Sequence, residues 1–445
     1  MMIIILLCLS ILFIVISTTR FTLHPFLALL TAALFFGICS GMPLDKIISS
    51  IEEGFGGTIG KIGIVIIVGV IIGTFLEKSG GAYSLAEYVL KIIGKKNVTP
   101  AMVLIGYIVS IPVFADSGFV ILSPLNKSLT KRAGLSLATT AIALCLGLMV
   151  SHTLIPPTPG PIAAAGILEA DLGWVIALGI PLSIPVLFFC WFWAQKVAGR
   201  VSIDPNPKLT ETDFQSRLNW APLAFHALVP ILLPIVLIVL KSIADYPTHP
   251  LGQDGFYKTI SFIGTPLIAL LIGICIAVTL PRSFNKQMLS PSGCVGDGLL
   301  DASMIILITG AGGAFGKVLQ NSGIVDILGG GMSSMSTGLW LPFMIAAAIR
   351  AAQGSSTVAI ITTASILAPM LPSLGLDSPI GRALSVLAIG AGSIVASHAN
   401  DSFFWVVTRM SGMDVKTGYI LMTAGSICMG FFACIIIWIA GLILL

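Results

Sequence analysis

The run Ser151-His-Thr-Leu-Ile-Pro-Pro-Thr-Pro-Gly-Pro161 decides how this chain folds. It interrupts an apolar segment that opens near Leu135 and resumes at Ile162. Proline lacks an N–H and its ring clashes with the preceding turn, so Pro156, Pro157, Pro159 and Pro161 cannot share one unbroken helix. A matching break, Ser397-His-Ala-Asn-Asp-Ser402, recurs near the other end of the chain. Two broken helices in corresponding positions of a membrane protein predict a substrate site near the bilayer midplane.

The setting of these breaks is apolar throughout. The chain has 445 residues, 56% hydrophobic and 9% charged, with mean hydropathy +1.04. That composition excludes a soluble globular domain. It predicts an all-α integral membrane protein with many stretches able to span about 30 Å of hydrocarbon. The net charge of +4 comes without a basic block, so no nucleic-acid partner is expected. The eight cysteines form no C-x-x-C pair. They predict neither a metal site nor a disulfide framework, and no cofactor is expected. No phosphate-binding loop, H-E-x-x-H or G-x-S-x-G occurs, which argues against an ATP motor or a hydrolase. Met1–Ser17 is apolar but lacks a basic leader and a small-x-small cleavage site, so it reads as a retained first span.

The two halves of the chain resemble each other. His24-Pro-Phe-Leu-Ala-Leu-Leu30 matches Thr265-Pro-Leu-Ile-Ala-Leu-Leu271, and Gly73–Gly80 matches Gly316–Gly323. Asp116-Ser-Gly-Phe-Val120 stands where Gly354-Ser-Ser-Thr-Val358 stands, and Ser151-His152 where Ser397-His398 stands. The order is kept throughout. The expected organisation is a first repeat at 1–195, a cytoplasmic linker at 196–219 and a second repeat at 220–445. Met102–Leu129 and Leu341–Leu371 read as re-entrant hairpins, because each arm is too short to cross the bilayer. Most of the 23 Lys and Arg residues then fall on one side if the N-terminus lies outside. The positive-inside rule selects that orientation, with both termini periplasmic or extracellular. Each half has about five spans, an odd number, so the second half enters inverted.

Irregular backbone at membrane depth must be shielded by protein or line a wet cavity. The hairpin tips and helix breaks are such places, and they expose helix N-termini that favour anions. The expected helical arms begin at Phe119 and Val358, with a half-helix after Ser402. Candidate substrate groups are Ser117, Gly118, Gly354, Ser355, Ser356 and Thr357, together with His152, Thr158, His398 and Asn400. The hydroxyls either meet a substrate or bond back to their own helices. Asp116 and Asp401 are candidate proton carriers, since an acid at membrane depth needs a reason to be there. For Asp401 the competing reading is a cap on the helix near Phe403. Arg350 either binds a substrate carboxylate or neutralises Asp116 or Asp401, the second being favoured.

These residues resemble the gluconate permease (GntP) family of bacterial proton symporters over essentially the whole chain. The resemblance rests on His24–Leu30, Phe119–Leu122, His152 with Pro156-Pro157 and Pro159-Gly-Pro161, Gly310–Phe315, Gly354–Ala359, and Ser397–Asp401 with Phe404-Trp405. It implies import of a small hydroxylated monocarboxylate by proton symport: gluconate or another sugar acid, glycerate, or D-serine. It also implies a homodimer in the bacterial inner membrane, with a scaffold, a moving transport domain and elevator-like alternating access. Two stretches depart from the family pattern. Thr158 replaces a histidine common among relatives, and the first hairpin reads Phe114-Ala-Asp-Ser-Gly118. The alternatives are a proton-independent anion facilitator or channel, and an intramembrane metal enzyme using His152, His398 and Asp401.

Overall fold

The computed structural model describes residues 2–21, 23–94, 97–205, 220–245, 255–282, 285–323, 338–398 and 401–445. All regular structure among these residues is helical. The first half runs α1 (Met2–Thr19), α2 (Pro25–Cys39), α3 (Leu44–Lys78), α4 (Gly81–Ile93), α5 (Val98–Val109), α6 (Ala115–Ala133), α7 (Leu137–Leu154), α8 (Pro159–Ile167) and α9 (Leu172–Lys196). The second half runs α10 (Ala224–Ala244), α11 (Gly255–Ile263), α12 (Pro266–Ala277), α13 (Cys294–Asn321), α14 (Trp340–Gln353), α15 (Ser356–Leu367), α16 (Pro379–Gly392), α17 (Ser402–Met410) and α18 (Val415–Leu444).

Among the described residues, five helical stretches are long and apolar enough to cross a membrane, or up to seven if each bent pair counts as one span. Sequence fixes their ends. Ser136, Asp171 and Ser378 cap α7, α9 and α16 by accepting backbone N–H bonds from Ala138, Trp174 and Gly381. Such caps satisfy amides that a helix start otherwise leaves orphaned.

The long helices α3 and α13 pack antiparallel and close. Lys78 at the end of α3 pairs with Asp297 at the start of α13. At the other end Asn321 Nδ2 donates to Ser50 Oγ at 2.9 Å. Gly54 and Gly313 let the two backbones approach. The helices around the breaks form a second group. α5 and α6 pack on α7, α15 packs on α14 and α8, and α17 packs on α6. α3 lies against α8, and α13 against α15, so the long pair borders the broken helices.

Of the two proposed hairpin regions, the second is a pair of short helices, whereas in the first α6 runs 19 residues, longer than the short arm expected from the sequence. The first turn lies at Ser110–Phe114, so Ser117 and Gly118 already belong to the helix that follows it. Pro112 ends α5, and α6 starts at Ala115, not at Phe119. The second turn falls at Gly354-Ser355, with Gly354 left-handed at φ +84° and Ser355 capping α15, which starts at Ser356, two residues before the expected Val358. Only glycine adopts that φ without a steric cost, which fixes the residue type there. Of the linker, only residues 196–205 are described. Its start is held at α7, where Ser136 Oγ donates to Val201 O at 2.6 Å.

Candidate functional site

Four interruptions of the chain meet at one cavity of about 290 Å³. The start of α6 brings Asp116. The last turns of α7 bring Met149, His152 and Thr153. The α14–α15 turn brings Gln353 through Thr357, and the start of α17 brings Asp401 and Ser402. Three helices, α6, α15 and α17, begin at this cavity, and their free N–H groups give it a bias toward anions.

Arg350 lies on the last turn of α14, with its side chain 2% exposed. Its Nη2 donates to Asp401 Oδ2 at 2.5 Å. Asp401 Oδ2 also accepts from Ser397 Oγ, and Asp401 Oδ1 accepts from Phe403 N at 3.0 Å, capping α17. Both expectations for these residues therefore meet in one arrangement: Arg350 neutralises an internal acid, and that acid caps a helix. Asp116 is placed differently. Its Oδ2 accepts one long bond from Ser402 Oγ at 3.4 Å, and its Oδ1 is buried without a partner. Lying in the first turn of α6, Asp116 gains from the helix dipole instead of sitting in an irregular turn.

Other buried polar atoms of residues that line this space also lack partners. They are His152 Nδ1, Arg350 Nε and Nη1, and both amide atoms of Gln353. Buried polar groups in native proteins are nearly always paired with protein, water or ligand. This concentration of open donors and acceptors gives the cavity a polar lining.

The break before α17 is longer than the sequence suggested, because α16 already ends at Gly392. Within it, the backbone of Ser397 is held from α18. Ser397 N donates to Ser426 Oγ at 3.1 Å, and Thr423 Oγ1 donates to Ser397 O at 2.5 Å. Ala396 takes a left-handed φ of +58°, a conformation costing a non-glycine residue about 1–2 kcal/mol.

The model of the GntP family permeases matches residues 1–443. The chain belongs to that family. It is 35% identical over 416 residues to the gluconate permease of Pseudomonas aeruginosa, covering 92% of this chain and 91% of that one. It is 32% identical over 427 residues to the high-affinity gluconate transporter of Escherichia coli, covering 94% and 95%. Two solved structures share the fold. The Neisseria gonorrhoeae MtrF, from a class of antimetabolite efflux pumps, superposes with a TM-score of 0.70 at 16% identity, covering 96% of each chain. The Alcanivorax borkumensis YdaH transporter superposes with a TM-score of 0.64 at 17% identity, covering 94% of this chain and 99% of that one. This GntP permease is thus a multi-pass membrane transporter and not an enzyme, which removes the metal-enzyme alternative.

Within the permease, the candidates named from sequence separate into two sets. Asp116, His152, Arg350, Gly354, Ser355, Ser356, Thr357 and Asp401 line the cavity. Ser117, Gly118, Thr158 and His398 do not line it. A Cβ on Gly118 would meet Leu148 at 2.8 Å, so this glycine serves packing against α7. Thr158 Oγ1 donates to Ile155 O at 2.6 Å and holds the first break. His398 Nε2 lies 2.8 Å from Ala351 O, and its ring stacks on Tyr419. The two histidines thus differ: His152 faces the cavity, whereas His398 braces the break. Ser355 Oγ accepts from Val358 N at 3.3 Å, so its hydroxyl caps its own helix. Asn400 lies outside the described residues. Gln353 and Ser402 line the cavity although neither was singled out as a binding residue. Gln353 sits three residues after Arg350, on the same helix face, and that spacing was its signal.

Proposed function

We propose that this permease imports a small hydroxylated monocarboxylate of the gluconate kind together with a proton. The observation that carries this reading is the open set of buried polar atoms around a neutralised Arg350–Asp401 pair. Arg350 Nε and Nη1 offer N–H donors to a carboxylate. The names of the relatives, gluconate permease and high-affinity gluconate transporter, agree with that chemistry.

Charge balance supplies the coupling. Arg350 and Asp401 cancel, leaving Asp116 as the uncompensated charge in the cavity. An ionised Asp116 repels an incoming carboxylate across a low-dielectric space. A proton on Asp116 removes that repulsion and supplies a donor to the substrate. Anion and proton then travel as one neutral load. Asp401 is less suited to this role, because all of its bonds are already made.

In this reading α3 and α13 belong to a scaffold, and α5–α8 with α14–α17 form the part that moves, in an elevator-like cycle. The two halves at 1–195 and 220–445 are inverted repeats joined by the linker at 196–219. The permease works as a homodimer in the bacterial inner membrane, with both termini outside.

The test is uptake of radiolabelled gluconate into proteoliposomes. A proton gradient, acidic outside, should drive accumulation, and a protonophore should abolish it. Uptake that ignores the gradient would favour the facilitator reading.

A further inference from the structure

Gln353 closes α14 one turn after Arg350 and lines the same cavity. Its Nε2 and Oε1 are both buried and both without a protein partner. An amide left unpaired on both atoms is unfavourable inside a protein, so its retention calls for a matching group. A carboxylate matches only half of it, because a carboxylate accepts and does not donate. A hydroxyl both donates and accepts, and so satisfies both atoms. The i, i+3 spacing puts the amide and the guanidinium on the same face of α14. A carboxylate held by Arg350 therefore brings the carbon next to it toward Gln353. Gly354 stabilises this placement, since its left-handed φ of +84° ends the helix at Gln353.

We propose that Gln353 is the residue that makes this transporter require a hydroxyl on the carbon adjacent to the substrate carboxylate. The inference rests on the carboxylate reading above and adds to it a specificity determinant. In it, the Gln353 carbonyl accepts from the 2-hydroxyl while the amide N–H donates to the same oxygen. A site built to bond a hydroxyl rejects the analogue that lacks it, because its own polar atoms are then stranded.

The experiment uses the full chain in proteoliposomes and two probes, gluconate and 2-deoxygluconate, each competing with radiolabelled gluconate. The wild type should prefer gluconate by at least about tenfold, the value of roughly one hydrogen bond. Gln353→Met keeps the length of the side chain and removes its hydrogen bonding. It should bring the two acids close to parity by weakening gluconate and by easing the rejection of 2-deoxygluconate, whose binding then strands no amide. Gln353→Asn, which withdraws the amide by one methylene, should move the same way and serves if the methionine variant does not fold. A wild-type preference that persists in either folded variant overturns the role of Gln353. So does a wild type that binds both acids equally. A wild type that binds neither acid overturns the carboxylate reading itself, and this inference falls with it.

Discussion

Arg350 Nη2 lies 2.5 Å from Asp401 Oδ2, with the two side chains only 2% and 7% exposed. The pair joins the end of α14 to the start of α17, two elements that have no continuous helix between them. Asp401 also caps α17 and receives Ser397, so one carboxylate holds three parts of the site in place.

Breaking this pair from one side should be costly. Arg350→Met leaves a buried carboxylate without its counter-charge, a loss of about 3–5 kcal/mol. The melting temperature in detergent should drop sharply. Adding Asp401→Leu removes the stranded charge and should recover part of the lost stability, but not gluconate uptake. An Arg350→Met protein as stable as the wild type would show that the ion pair does not hold the site together.

Asp116→Asn should separate binding from coupling. The amide keeps the shape of the acid but carries no exchangeable charge. Gluconate should still bind, to within about tenfold, since roughly one hydrogen bond changes. Accumulation driven by a proton gradient should vanish, while counterflow exchange between equal pools persists. Gradient-driven accumulation at the wild-type rate would rule out Asp116 as the carrier.

The ion pair at Lys61 and Glu169 offers a contrast. Lys61 Nζ meets Glu169 Oε1 at 2.6 Å, yet the side chains are 61% and 60% exposed. The Lys61 hydrogen bond, then its charge, holds the Glu169 carboxyl below its ordinary value, with burial opposing. A depressed carboxylate stabilises the fold above its unfolded value near 4.5 and loses that contribution as the pH falls through its folded value. Solvent screening keeps the term small, so Glu169→Gln should cost no more than about 1 kcal/mol at neutral pH. The difference between variant and wild type should shrink further on acidification. Thermal unfolding measured at neutral pH and again at pH 4 checks both the size and the sign.

The sequence carried the site unevenly, for physical reasons. Proline and glycine announce irregular backbone directly, so the breaks near Pro156 and Gly354 were legible. The apolar composition announced the membrane. Charge at membrane depth pointed to Arg350, Asp401 and Asp116, because an acid or a base there needs a partner or a task. Which of the polar residues face inward was not legible, because that depends on helix rotation. Ser117 and Gly118 follow Asp116 directly but turn off the cavity by about 100° per residue. His152 and His398 both follow a serine at a break in the sequence, yet tertiary packing gives one an open nitrogen and the other the carbonyl of Ala351. Gln353 was overlooked because a turn glutamine is chemically ordinary until its burial is known.

The border between the long helices and the broken ones is set by glycine, and that can be tested directly. On α3, a Cβ at Gly73 would overlap the carbonyl oxygen of Pro112 in the first turn, and one at Gly69 would lie 3.2 Å from that of Pro157. On α13, a Cβ at Gly312 would overlap Ser365 Oγ, and one at Gly316 would lie 3.0 Å from Ser365 O. Gly73 and Gly316 are also the residues that head the matched stretches of the two halves. Gly73→Ala therefore forces backbone apart and should cost about 1–3 kcal/mol, as overpacking does. Uptake should fall further than stability does if this surface moves during transport. Gly56 is the control, since a Cβ there meets nothing within 4 Å. Gly56→Ala should leave uptake intact and stabilise α3 by up to about 1 kcal/mol through helix propensity alone. Thermal unfolding and proteoliposome uptake of both variants decide the matter, and equal behaviour of Gly73→Ala and Gly56→Ala would refute the close approach at Pro112.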